Sequence, residues 1–263
     1  MTRPKKSLGQ NFLTDNNILN KILNLIEVNN NNIVEIGPGT GNLTKKILEK
    51  KPKSFILVEK DQLFAKNLKK ELSSFKNVKI FNEDILKFNL EKIIKKNSII
   101  IGNLPYNISS QILIKLIKFK KWLPKYNKLI LMFQKEVADK ILAKHKTSDY
   151  GRLSIITSAR LKVTNHFNVL PNSFWPVPKV KSTVLVLEPI INEHFNVKKI
   201  ENLELVSRTF FSQKRKMINK GFNKIFKNQP DAKKKLNINL HLRPSDLTEN
   251  EFFKITQYFE KYS

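Results

Sequence analysis

Short apolar runs recur along the first half of the chain, at a spacing that leaves room for a helix between most of them. Residues 32–36, 54–59, 78–81, 98–101 and 129–133 are apolar or β-branched, with few polar interruptions. Near-continuous runs of this length suit strands buried on both faces, and their alternation with helix-length segments suits a parallel sheet covered by helices. The pattern predicts an α/β, doubly wound, Rossmann-like domain. A later run over 182–187 reads as a further strand, closed by Pro189. Beyond it the period changes, and 202–211, 214–226 and 248–262 read as helices with no strand between them. The expected organisation is a larger domain over 1–189 and a small all-helical domain over 190–263. No internal repeat or low-complexity linker divides the chain, and 29–32 reads as a loop before the first strand.

At 263 residues with 40% apolar side chains, the chain has the means to bury a core in one or two domains. It has no cysteine, which excludes a disulfide framework, a thiolate metal site and a cysteine nucleophile. His145, His166, His194 and His241 show no ligand-like spacing, so no metal is expected. The opening Met1-Thr2-Arg3-Pro4-Lys5-Lys6 leads into no apolar signal-like run, and no stretch approaches the ~18 apolar residues of a membrane span. The expected location is cytoplasmic, with no membrane partner. The net charge of +27, from 49 Lys and Arg against 22 Asp and Glu, points to a polyanionic partner and first to nucleic acid. Lys and Asn are abundant throughout, and residues 190–263 hold 15 Lys and Arg against 8 Asp and Glu. The charge is therefore spread along the chain and does not locate a site.

Glycine is scarce, and three of the seven stand at Gly37, Gly39 and Gly41, just after the first strand. Glycines at a strand-to-helix turn permit positive φ and close approach of backbone to ligand. A tight turn without a ligand uses them equally well. The spacing Gly37-Pro38-Gly39-Thr40-Gly41 departs from dinucleotide sites, whose third glycine comes later and whose turn cradles a pyrophosphate. A phosphate-free nucleoside cofactor fits better. Glu35 lies in the strand before the turn, and Glu59 ends the next strand, where a carboxylate is placed to accept both ribose hydroxyls. Glu83 and Asp84 close the third strand, where an acid can accept from an adenine amino group. Together these features suit S-adenosyl-L-methionine as co-substrate.

The run over 98–101 ends in Gly102-Asn103-Leu104-Pro105-Tyr106. An exocyclic amine on a base is a poor nucleophile, because its lone pair is delocalised into the ring. It becomes one when acceptors hold both hydrogens and draw the nitrogen toward tetrahedral geometry. Asn103 Oδ1 and the Leu104 carbonyl are suited to that task. Pro105 has no N–H and biases Leu104 away from helix, turning its carbonyl outward. Tyr106 can stack on a base that is flipped out or already unpaired. A sulfonium methyl donor is already activated, so transfer needs positioning rather than a metal or a covalent enzyme intermediate. A β-turn after a strand is the plainer reading of the same residues.

These motifs resemble the bacterial small-subunit (16S) rRNA adenine N6,N6-dimethyltransferases, the KsgA/RsmA family, over essentially the whole chain. The matching blocks cover 6–13, 34–41, 102–109, 134–137, 150–154, Phe174-Trp175-Pro176-Val177-Pro178-Lys179-Val180, 210–216 and 243–244, with Glu59 and Asp84 between them. Six of the seven glycines fall in these blocks; Gly221, outside them, reads as a helix C-cap. The resemblance implies that Asn11 and Leu13 contact the methionine part of the cofactor and that Gly37 lines its turn. It further implies that Glu59 holds the ribose, Asp84 holds the adenine, and Asn103 stands between cofactor and substrate. Tyr106 and Phe174 would sandwich the target base, although a core residue behind a Pro-rich turn is the other reading of Phe174. The family usually has an acidic residue after Lys-Val, where this chain has Lys181. Lys214-Arg215-Lys216 resembles an RNA-contacting element, or is a solvated helix face.

The implied activity is dimethylation of N6 on two adjacent adenines near the 3′ end of 16S rRNA, within the 30S particle, as part of small-subunit biogenesis. On this reading residues 1–189 bind the co-substrate and catalyse, residues 190–263 dock the ribosome, and the enzyme is a monomer. Two alternatives are a 23S rRNA adenine methyltransferase of the macrolide-resistance kind and a binding-only ribosome-assembly factor.

Overall fold

The computed structural model describes residues 10–262, so residues 6–9 of the opening motif lie outside the described residues. β1 (Phe12–Leu13) and α1 (Asn16–Leu23) lead into β2 (Asn32–Ile36), α2 (Asn42–Glu49), β3 (Ser54–Val58), α3 (Gln62–Glu71) and β4 (Val78–Phe81). Next come α4 (Leu90–Ile93), β5 (Ser98–Asn103), α5 (Ser109–Ile117), β6 (Tyr126–Gln134), α6 (Lys135–Leu142) and α7 (Arg152–Arg160). They are followed by β7 (Leu161–Val169), β8 (Phe174–Trp175), β9 (Ser182–Pro189), α8 (Ile200–Phe211), α9 (Asn219–Ile225), α10 (Ala232–Leu236) and α11 (Glu249–Tyr262).

Seven strands form one sheet in the order β4-β3-β2-β5-β6-β9-β7. β2 pairs in parallel with β3 and β5, and β4 and β6 continue the parallel ladder on either side. The central strands are buried on both faces, which is why they read as unbroken apolar runs: Ile33, Val34, Phe55, Leu57, Ile100 and Ile101 are all nearly inaccessible. β9, the late strand, runs antiparallel to β6 with Leu131 opposite Leu185, so the sheet is mixed. A doubly wound sheet commonly carries such a strand toward its edge. β7 was absent from the sequence reading, although Leu161, Val163, Phe167 and Val169 alternate with Lys162, Thr164, His166 and Asn168. Its polar positions are exposed, as a half-covered edge strand requires.

Local signals set the helix starts. The Asp15 carboxylate accepts from the Asn17 and Ile18 amides and starts α1; Asp61 accepts from the Leu63 amide and starts α3. α1 then buries Leu19, Ile22 and Leu23 in the core that also contains Ile33, Phe55, Ile99 and Val184.

The described chain forms two compact units. The first runs to Ala138 and resumes over Val163–Pro189, whereas the second comprises Asp139–Lys162 and the chain from Ile190. The helical part is therefore not the single stretch 190–263. The reason lies in α7, which buries Ile155, Ile156 and Ala159 and packs on α8 and α11. Within this second unit Phe252 meets Phe210 and Phe211, each at 5.8 Å between ring centroids. The helix expected over 214–226 is shorter: 212–218 is a turn, where the Ile218 amide donates to the Leu242 carbonyl instead of one turn back. Lys214-Arg215-Lys216 thus occupies a turn and not a helix face. Gly221 is not a C-cap. It lies inside α9, where a Cβ would come within 3.0 Å of the Phe210 ring.

Candidate active site

The strand order decides where a cleft opens. From β2 the chain moves outward to β3 and β4, then returns to β5 and builds the other side through β6, so the order reverses between β2 and β5. Helices diverge at such a switch point and leave a crevice beyond the carboxyl ends of the two strands. The Gly37–Gly41 turn follows β2, and Asn103 ends β5. A cleft opens between them, lined by both motifs and open to solvent, the kind of concave place where small ligands bind. Asn11, Leu13, Gly37, Glu59, Asp84, Asn103, Leu104, Pro105 and Tyr106 all line it, and Phe174 does not.

The glycine turn is built for close approach. Gly37, Gly39 and Gly41 have φ of 69°, 54° and 78°, the left-handed region that side chains disfavour. At Gly39 a Cβ would meet the Phe12 ring at 2.7 Å, and at Gly102 one would meet the Ile36 carbonyl at 2.8 Å. Gly37 differs, since a Cβ there has only the Asn103 carbonyl near it, at 3.9 Å, and otherwise enters the cleft. Its missing side chain leaves the space a ligand would fill.

Two carboxylates face that space, and a third stands behind it. Glu59 is buried, accepting from the Gly39 amide at 3.0 Å and the Asp61 amide at 2.7 Å. Burial pushes its pKa up and these amides pull it down, with burial the larger influence. Its carboxylate oxygens can accept from hydroxyls as well. Asp84 pairs with Lys60 at 2.9 Å and accepts from the Leu86 amide, which together hold its carboxyl below the ordinary range and ionised. Glu35 is pushed up to about 8, chiefly by burial and further by the charge of Glu59, against the Thr44 hydroxyl that donates to it at 2.7 Å. At neutral pH it is therefore mostly a neutral acid.

The Asn103 amide has its orientation fixed from far along the chain. Its Nδ2 donates to the Asn11 carbonyl at 2.8 Å, and a carbonyl only accepts. Asn103 lines the cleft, and among the described residues nothing donates to its Oδ1 or to the Leu104 carbonyl. The side-chain amide of Asn42 donates to the Leu13 carbonyl at 2.8 Å, tying down the same segment two residues after Asn11. Tyr106 is half-buried, with its hydroxyl 2.7 Å from that of Ser182 at the start of β9. Asn42, Ser182 and Lys60 are the supporting residues that the sequence reading missed, because each acts through a partner on another element.

Phe174 departs from expectation. It pairs with Leu13 across the β1–β8 ribbon and is 2% exposed, packed in the core with Leu13 and Val184. Side chains alternate along a strand, so an inward Phe174 sends Trp175 outward.

Comparison with known proteins places this geometry. Residues 1–261 match the family described as ribosomal RNA adenine dimethylase. The chain is 45% identical over 264 aligned residues to the ribosomal RNA small subunit methyltransferase A of Pelagibacter ubique, covering 98% of this chain and 97% of that one. It also resembles the crystal structure of a dimethyladenosine transferase from Plasmodium falciparum, with a TM-score of 0.77, 29% identity, and 95% and 98% of the two chains covered. The 23S rRNA methyltransferase ErmE shares the fold at 22% identity and a TM-score of 0.64, covering 95% of this chain and 100% of that one.

Proposed function

The chain belongs to the ribosomal RNA adenine dimethylase family and is an rRNA adenine dimethyltransferase, and from that premise we propose the finer reading. Its substrate is a pair of adjacent adenines near the 3′ end of 16S rRNA in the 30S subunit or its precursor, its methyl donor is S-adenosyl-L-methionine, and it acts as a monomer in the cytoplasm. The observation that carries this reading is the pairing of Asn103 Oδ1 with the Leu104 carbonyl in the cleft lining, two acceptors to which no described residue donates.

S-adenosyl-L-methionine, when bound, supplies a methyl group already activated for displacement. Glu59 is suited to accept from its ribose hydroxyls and Asp84 from its adenine amine, while Gly37 leaves room for it and Asn11 and Leu13 are suited to contact its methionine part. Asn103 and Leu104 accept the two hydrogens of the target amine and aim its lone pair into the cleft. Tyr106 offers the base one ring face, and its hydroxyl contact with Ser182 keeps the ring in place. Correct geometry at the reacting atoms supplies most of the acceleration in such a displacement. The second unit serves as the docking part: Lys214 is committed to the Ser148 and Tyr150 carbonyls, leaving the exposed Arg215 and Lys216 for phosphates.

The test is transfer of labelled methyl groups from S-adenosyl-L-methionine to 30S particles lacking the modification, with 50S particles as control. Dimethyladenine in 30S RNA alone is the expected result. Label confined to 50S RNA moves the enzyme to the resistance kind, and tight 30S binding without label makes it an assembly factor.

A further inference from the structure

An exposed indole follows the buried Phe174 and has no role in the chemistry above. Trp175 is 44% exposed, and Val177 and Val180 after it are exposed as well. The exposure follows from the register, not from disorder of the segment. Phe174 is drawn into the core opposite Leu13, so Trp175 must take the other face, opposite Phe12. Residues directly opposite each other in an antiparallel pair project to the same side. Phe12 lies over Gly39 and lines the cleft, so the strand that carries Trp175 pairs directly with a cleft wall. Pro176 and Pro178 fix φ on the strand's outgoing side and reduce the entropy lost when the ring is engaged.

We propose that Trp175 is a stacking platform for an unpaired base flanking the target adenine, with Lys179 and Lys181 meeting the phosphates beside it. The inference rests on the rRNA reading and deepens it by naming where the strand leaves the cleft. Both lysines are exposed in the same segment. An aromatic face bordered by cations is the pattern that holds single-stranded nucleic acid without reading its sequence. The departure at Lys181, where the family usually has an acid, adds positive charge here. A protein surface could also cover an apolar ring, but the surrounding charge favours a polyanion.

The experiment measures steady-state transfer to undermethylated 30S particles by the full-length protein and by Trp175→Ala, Trp175→Phe and Trp175→Leu, with thermal melting and S-adenosyl-L-methionine affinity as controls. Trp175→Ala is expected to raise the KM for 30S by about tenfold, the order associated with losing one base–aromatic contact, with kcat and co-substrate affinity unchanged. Trp175→Phe restores most of the loss and Trp175→Leu does not. An unchanged KM in Trp175→Ala overturns the platform, and equal rescue by Leu and Phe overturns it in favour of an apolar contact with protein. Should Trp175→Ala melt early, the Phe and Leu pair still decides. No transfer by the unaltered protein defeats the rRNA reading itself, an outcome distinct from failure of the platform.

Discussion

A single amide and two buried acids carry most of what this site can do. Asn103→Ala removes the acceptor whose direction Asn11 fixes, so methyl transfer should be abolished while S-adenosyl-L-methionine binding, measured by calorimetry, persists. Near-normal turnover would sink the mechanism. Glu59→Ala should weaken co-substrate binding by about 1–3 kcal/mol, the scale of hydrogen bonds to a charged group. Part of that loss comes from freeing the Gly39 and Asp61 amides, so Glu59→Gln should lose less. Glu35 has a pH signature of its own. Its folded pKa of about 8 stands above the ordinary 4.5, so between these values the folded chain keeps a proton that the unfolded chain gives up. Its contribution therefore makes stability fall as pH rises from about 4.5 to about 8. Urea midpoints at pH 5 and pH 8 should differ less in Glu35→Gln than in the unaltered protein.

At the scale of elements, the site depends on how strands from distant parts of the chain meet. β9 begins at Ser182, a fully buried residue whose hydroxyl meets that of Tyr106 in the loop after β5. Ser182→Ala should lower kcat several-fold with co-substrate affinity unchanged, Tyr106→Phe should do the same, and the double variant should be little worse than either. Additive losses would show that the two hydroxyls do not act together. The parallel strands were legible because burial on both faces leaves an unbroken apolar run. β7 is also written in its alternation, whereas the truncation of α9 is not written locally. The Ile218 amide abandons the helical bond for a carbonyl at Leu242, a partner that no helical period announces.

For the molecule as a whole, charge is the dominant property. A net charge of +27 makes release of counterions from RNA a large part of the binding free energy. Affinity for 30S RNA should fall steeply and linearly in log–log terms between about 50 and 200 mM salt, while co-substrate affinity, set by hydrogen bonds inside the cleft, should scarcely change. Filter binding and calorimetry over the same salt series check both halves, and a flat RNA profile would remove charge as the main source of affinity. The composition foretold this partner class, but it had no means of saying which lysines face the RNA, since all parts of the chain are basic.

Taken alone, the sequence determined the sheet's buried strands, the glycine turn, the acids after β3 and β4 and the Asn103–Tyr106 motif, because each is a pattern of neighbouring residues that constrains φ, burial or chemistry locally. Only the tertiary structure decided which way those groups point. The partner that turns Asn103 is 92 residues away and the one that steadies Tyr106 is 76 away. The inward turn of Phe174, which exposes Trp175, depends on pairing with Leu13. A short pattern encodes a backbone conformation and a side to bury, whereas a hydrogen-bond partner across the sheet exists only once the strand order has brought the two residues together.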